Sequence, residues 1–167
     1  MKKVLNIGFV MAIFLFSCQQ KDNRDPVPYK FPISWLDSLV EENEAIVNLS
    51  FTPEGKVKIR RYFLADTVSY MLEYNKFNEL SSVYKFNGKG LEIWQENYYP
   101  NGQRMAHYNK KGDSRTGLSF ADGFYEAYYD MGEIKERGMY QNDKPVWMLP
   151  FTRDRVAGDT IYYQFTE

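Results

Sequence analysis

His107 is the only imidazole in the 167-residue chain and Cys18 the only thiol. One of each cannot supply the three or four nitrogen and sulfur ligands of a zinc centre. Carboxylates are more plentiful, and Asp122, Glu126, Asp130, Glu133 and Glu136 crowd one stretch. A pair such as Glu126 and Glu133, facing each other across a hairpin, could act as a glycosidase acid and nucleophile. The competing reading, charges that solvate an exposed strand, needs no substrate. No G-x-S-x-G, H-E-x-x-H, phosphate-binding loop or G-x-G-x-x-G is present. The sequence therefore nominates no catalytic, metal-binding or cofactor-binding residue, and His107 reads as an ordinary strand residue. With 21 basic against 22 acidic residues and no charge block, the chain also lacks a nucleic-acid footprint.

Cys18 is different because of where it falls. Lys2 and Lys3 precede Val4 to Phe16, an almost unbroken apolar run. The run is shorter than the ~20 residues of a bilayer span and suits the h-region of a signal peptide. It ends Leu15-Phe16-Ser17-Cys18. This resembles the bacterial lipobox, in which the cysteine after a small residue receives a diacylglyceryl group. The resemblance implies a signal peptide over 1–17 and a lipidated Cys18. Acyl chains contribute ~0.8 kcal/mol per buried CH2, so a multiply acylated cysteine anchors stably. Residues 18–32 then form a polar linker with Pro26, Pro28 and Pro32, which hold the backbone extended. Gln20-Lys21-Asp22 resembles the export signal of Bacteroidetes surface lipoproteins. The expected location is the outer membrane of the cell envelope, with the cell surface as one destination.

Elements must then be found for the body. Residues 33–47 read as a short helix, capped by Ser34 with Asp37 three residues on, with Trp35, Leu36, Leu39 and Val40 on its apolar face. Residues 48–167 read as all-β. Aromatics reach 17%, and short aromatic or β-branched runs alternate with Gly and Asn. In Glu126 to Tyr140, Tyr128 and Tyr129 end a strand, Gly132 supplies the positive φ of a hairpin loop, and Ile134 begins the return. Asn97 to Tyr108 repeats this with Gly102, and Glu73 to Tyr84 with Asn78. Phe51, Gly55 and Ile59 suggest an earlier unit. Trp147, Phe151 and Asp154 suggest a later one, in the slots of Tyr125, Tyr129 and Gly132. Such a period is the mark of repeat architecture. The segment Lys110 to Asp122 lengthens one spacing and reads as an inserted loop.

Gly123, Tyr125, Tyr128, Tyr129, Gly132, Ile134, Gly138 and Tyr140 together resemble a complete unit of the MORN-repeat variant family. Asn97 to Gly112 is a partial match. Bacterial members are often labelled antitoxin components of the YwqK type, a cytoplasmic role that differs from export. The resemblance implies an antiparallel meander of stacked β-hairpins. Since adjacent strand residues point to opposite faces, Tyr128 and Tyr129 are expected on opposite sides of a single-layer sheet, partly covered by the helix. The functional expectation is a non-enzymatic interaction module that docks an envelope or outer-membrane protein through its aromatic face or open edges. The alternative is a glycan-binding lipoprotein. The residues nominated for that surface are Tyr98, Tyr99, Tyr125, Tyr128, Tyr129 and Trp147.

Overall fold

A computed structural model of the chain describes residues 30–42, 44–65 and 67–165. The signal peptide, Cys18 and the linker up to Tyr29 lie outside the described residues. Among the described residues, one helix, α1 (Ile33–Glu41), precedes ten strands: β1 (Ala45–Phe51), β2 (Val57–Leu64), β3 (Thr67–Tyr74), β4 (Leu80–Phe86), β5 (Glu92–Tyr98), β6 (Arg104–Asp113), β7 (Leu118–Tyr128), β8 (Ile134–Gln141), β9 (Lys144–Pro150) and β10 (Ile161–Tyr162). The strands form a single antiparallel sheet in sequence order, each paired with the next. The chain is all-β, a meander of hairpins with one short helix near the N-terminus.

One turn recurs along one margin of the sheet. Its first residue donates its N–H to the carbonyl of the fifth, and its fourth donates back to the carbonyl of the first. Thr52–Lys56, Asn75–Glu79, Tyr99–Gln103, Tyr129–Glu133 and Thr152–Val156 all do this. The fourth residue always has positive φ: Gly55 78°, Asn78 66°, Gly102 80°, Gly132 94° and Arg155 62°. Glycine and asparagine adopt that region at least cost, which is why the first four were legible. The last unit departs from expectation by one residue. Thr152 and Arg155, not Phe151 and Asp154, stand where Tyr129 and Gly132 stand.

Three other expectations are corrected. The helix ends at Glu41 and the sheet begins at Ala45, so the strand takes Ile46 and Val47. Ser34 does not cap α1, whose N-cap is Pro32 without a side-chain bond. Asp37 instead accepts the Tyr62 hydroxyl at 2.8 Å and lies 3.6 Å from Arg60, tying the helix to β2. Lys110 to Asp122 is no loop. It extends β6 and β7 into the longest hairpin, with Lys110 opposite Ala121 and Asp113 opposite Leu118.

The two faces follow from the register. Leu49, Arg60, Leu72, Val83, Glu96, His107, Glu126, Arg137 and Leu149 are successive cross-strand partners, one row running from β1 to β9. Helix α1 lies on this face. Its Leu36 is fully buried in a core with Tyr62, Leu72, Val83 and Tyr98, against which Phe31 and Trp94 pack. Burial of a leucine of this kind contributes about 1.5–3 kcal/mol. The neighbouring row, Gln95, Tyr108, Tyr125, Gly138 and Met148, points the other way. There Tyr108, Tyr125 and Tyr140 pack ring on ring around Ala106, Ala127 and Met148.

Candidate functional site

Beyond the cover of α1, the helix-side row turns polar and its side chains join. Glu96 on β5 is 1% exposed. Its carboxylate receives Nη1 of Arg104 at 2.7 Å, the Tyr98 hydroxyl, and a ring nitrogen of His107 at 3.3 Å. Arg104 also donates through Nη2 to the Tyr128 hydroxyl at 2.9 Å and lies over that ring. Tyr128 donates to Glu126 at 2.6 Å, and Glu126 accepts Nε of Arg137 at 2.9 Å. The chain of bonds thus runs from Tyr98 to Arg137 across four strands. Register produces it, because β-pairing sets His107 between Glu96 and Glu126, and Arg137 beyond Glu126.

Its electrostatics are those of a closed network. Burial alone would raise the Glu96 pKa, but hydrogen bonds from His107, Tyr98 and Arg104 outweigh it and hold the carboxyl below its usual range. Burial pushes the Tyr128 hydroxyl well above the ordinary phenol value, with Glu126 adding to the shift. Within the group, two arginines stand against two glutamates. Both of its acids are engaged in hydrogen bonds.

The nominated aromatics divide into four groups. Tyr98 and Tyr125 are buried, 5% and 8% exposed, so neither offers a face to a ligand. Tyr128 belongs to the polar network. Tyr99 and Tyr129 occupy the turns rather than the opposite face of the sheet. The Tyr99 hydroxyl donates to the Tyr128 carbonyl at 2.9 Å, and Tyr129 repeats the bond to Phe151 at 3.0 Å. Each turn tyrosine is a strut to the next turn, and Asn101 adds a bond to the Asp130 carbonyl at 2.8 Å. This accounts for the paired tyrosines without a ligand. Trp147 is half-buried on β9, opposite Met139 and Tyr162. Glu126 and Glu133 do not face each other, since Glu126 opposes Arg137 and Glu133 sits in the turn. His107 stacks edge-on against Trp94 at 5.6 Å. Glu96, Arg104 and Arg137 were not nominated from sequence. The two arginines carry no motif, and only the strand register brings them to the carboxylates.

Two surface features remain. A cleft of about 500 Å³ lies between the β2–β3 and β4–β5 connections, with Val68, Met71 and Phe86 inside and Arg61 and Lys89 at its lining. The second is the outer edge of β1. Its sequence AIVNLSF has no charge, and Ile46, Leu49 and Phe51 are 62%, 45% and 56% exposed. Among the described residues, no helix is long and apolar enough to cross a membrane.

No family model matches the chain, and no curated protein matches it. Solved structures give distant likenesses. A GtfA/B complex bound to UDP and GlcNAc has 10% identity and a TM-score of 0.47 over 88% of this chain and 29% of that one. The complex of accessory secretory proteins 1, 2 and 3 of Streptococcus pneumoniae has 10% identity and 0.43, over 62% and 18%. TarM has 13% identity and 0.30, over 80% and 22%. The chain thus spans less than a third of each of these chains. Similarity at this level assigns no activity.

Proposed function

We propose that this protein is an exported lipoprotein, anchored to the outer membrane through Cys18, that works as a non-enzymatic interaction module. Its β-sheet would dock a protein partner in the cell envelope through the open edge at β1. The observation that carries this reading is the exposed, uncharged β1 strand. Its unpaired backbone groups and apolar side chains are what β-augmentation uses. The lipobox-like Leu15 to Cys18 supports the anchor. The polar network on the helix side supports a scaffold role, because each of its acids is already partnered. The glycan reading loses Tyr98 and Tyr125 as stacking platforms to the core.

The test is crosslinking in intact membranes followed by isolation of the chain, with Leu49→Lys as the edge variant, and a glycan array in parallel. A crosslinked species present for the wild type and lost in Leu49→Lys supports the module. Saturable sugar binding with no crosslinked species would overturn it in favour of the glycan alternative.

A further inference from the structure

The end strands of an open sheet invite pairing with other chains, and proteins guard them with charges, proline, bulges or very short strands. Strand β10 is guarded by its length, since only Ile161 and Tyr162 join the ladder. Strand β1 is seven residues long with no charge and no proline, and its one irregularity with β2 falls at its last step, Ser50/Phe51. We propose that β1 pairs with β1 of a second copy, antiparallel about a twofold axis at Asn48, so that two ten-stranded sheets become one. The inference rests on the interaction-module reading and names its partner.

The strand is self-complementary in that register. Asn48 stands opposite the partner's Asn48, where two amides can exchange hydrogen bonds. Val47 meets the partner's Leu49, and Leu49 the partner's Val47. Val47 already packs against the core beneath α1, so these contacts carry that core across the axis. Ala45, small and buried, opposes the partner's Phe51, which is large and exposed. Ile46 opposes the partner's Ser50. Just outside the strand, Glu44 faces the partner's Thr52, so no like charges meet. Symmetry also selects this edge. Joining β1 to a partner's β10 would set seven residues against two, and that head-to-tail contact continues into an open filament, whereas a twofold contact closes.

Directly opposed residues of an antiparallel pair have Cα atoms about 4.5 or 5.5 Å apart. Both separations fall in the disulfide range of about 4.4–6.8 Å. The full-length lipidated chain carrying Asn48→Cys is therefore oxidised in membranes, with Asn101→Cys, on the turn margin, as the control. A disulfide-linked homodimer is expected from Asn48→Cys alone. Sedimentation of the detergent-solubilised wild type should show a dimer. Leu49→Lys, which sets a cation against the partner's Val47, should weaken it by roughly tenfold or more with an unchanged circular dichroism spectrum. A wild type that sediments as a monomer, with no Asn48→Cys homodimer, overturns the proposal. A photoreactive residue at position 48 separates the two failures. Crosslinking to a different envelope protein removes the homodimer and leaves the interaction module standing, whereas no crosslink at all removes both.

Discussion

Replacing Glu96 by glutamine removes a charge and one acceptor while preserving shape. In the wild type, two carboxylate oxygens serve three side chains: Arg104 at 2.7 Å, His107 at 3.3 Å, and the Tyr98 hydroxyl. Glutamine keeps one oxygen and presents an NH2 where the other stood. With its oxygen toward Arg104 and His107, its NH2 faces the Tyr98 hydroxyl, which must accept instead of donating, and the Arg104 guanidinium loses the carboxylate charge in a site with almost no access to water. A buried polar group left unsatisfied costs about 1–3 kcal/mol, and bonds to charged groups lie toward the upper end. The predicted loss is about 2–3 kcal/mol, read as a lowered urea midpoint with unchanged m-value. The pH dependence gives a second readout. Glu96 has a folded pKa below the ordinary 4.5, so its contribution is fully present above about pH 4.5 and is lost as pH falls through the folded value. The stability gap between wild type and Glu96→Gln should therefore narrow in acid. An unchanged midpoint at neutral pH, together with a gap that stays constant in acid, would refute the claim that this carboxylate holds the network together.

Gly138→Ala would place a Cβ 2.7 Å from the Trp147 carbonyl and against the Met148 sulfur, so it should cost about 1–3 kcal/mol by overpacking, read by urea unfolding. Gly132→Val forces a β-branched residue to a φ of 94°; a loss of about 1–3 kcal/mol is expected, with faster amide exchange across Tyr125 to Tyr140 before any change near Phe51. Asn78→Gly, at the equivalent φ of 66°, should leave the thermal midpoint unchanged or slightly raised, and a clear drop would break the equivalence of the two turns. Cys18→Ser should release the chain from membranes with the β-sheet intact by circular dichroism, and retention after a carbonate wash would exclude the anchor.

The turns were legible because positive φ selects for residue type. Gly55, Asn78, Gly102 and Gly132 announce themselves, and each marks where its hairpin reverses. Arg155 occupies the same conformation without that signature, so residue type alone put the last unit one position out. The helix end was obscured for a related reason. Ile46 and Val47 could extend an apolar helical stripe or start a strand, and pairing with Phe63 and Tyr62 settles it. Gly138 was legible as a repeat position but not in its role. It makes room for Met148 beside the tyrosine cluster rather than supplying a turn. The polar network was invisible because it joins residues on four strands, and a slip of one residue in any register would turn its members to the other face.

That dependence on register explains why one sheet can carry two kinds of surface. Along the row from Leu49 to Leu149, the residues under α1 are Leu72 and Val83, and the next four are Glu96, His107, Glu126 and Arg137. The nine-residue helix is too short to cover the sheet, so the remainder of that face must satisfy itself in water. Paired charges do this with little apolar exposure, and their mutual bonds hold four strands in step where no second layer does. The opposite face solves the same problem with stacked tyrosines around Met148. The turn margin solves it with hydroxyls donated to the next turn's backbone. Strand β1 has none of these devices on its outer side, and Ile46, Leu49 and Phe51 stay exposed there. An uncharged seven-residue strand at the end of an open sheet is the kind of edge that pairing with another chain covers.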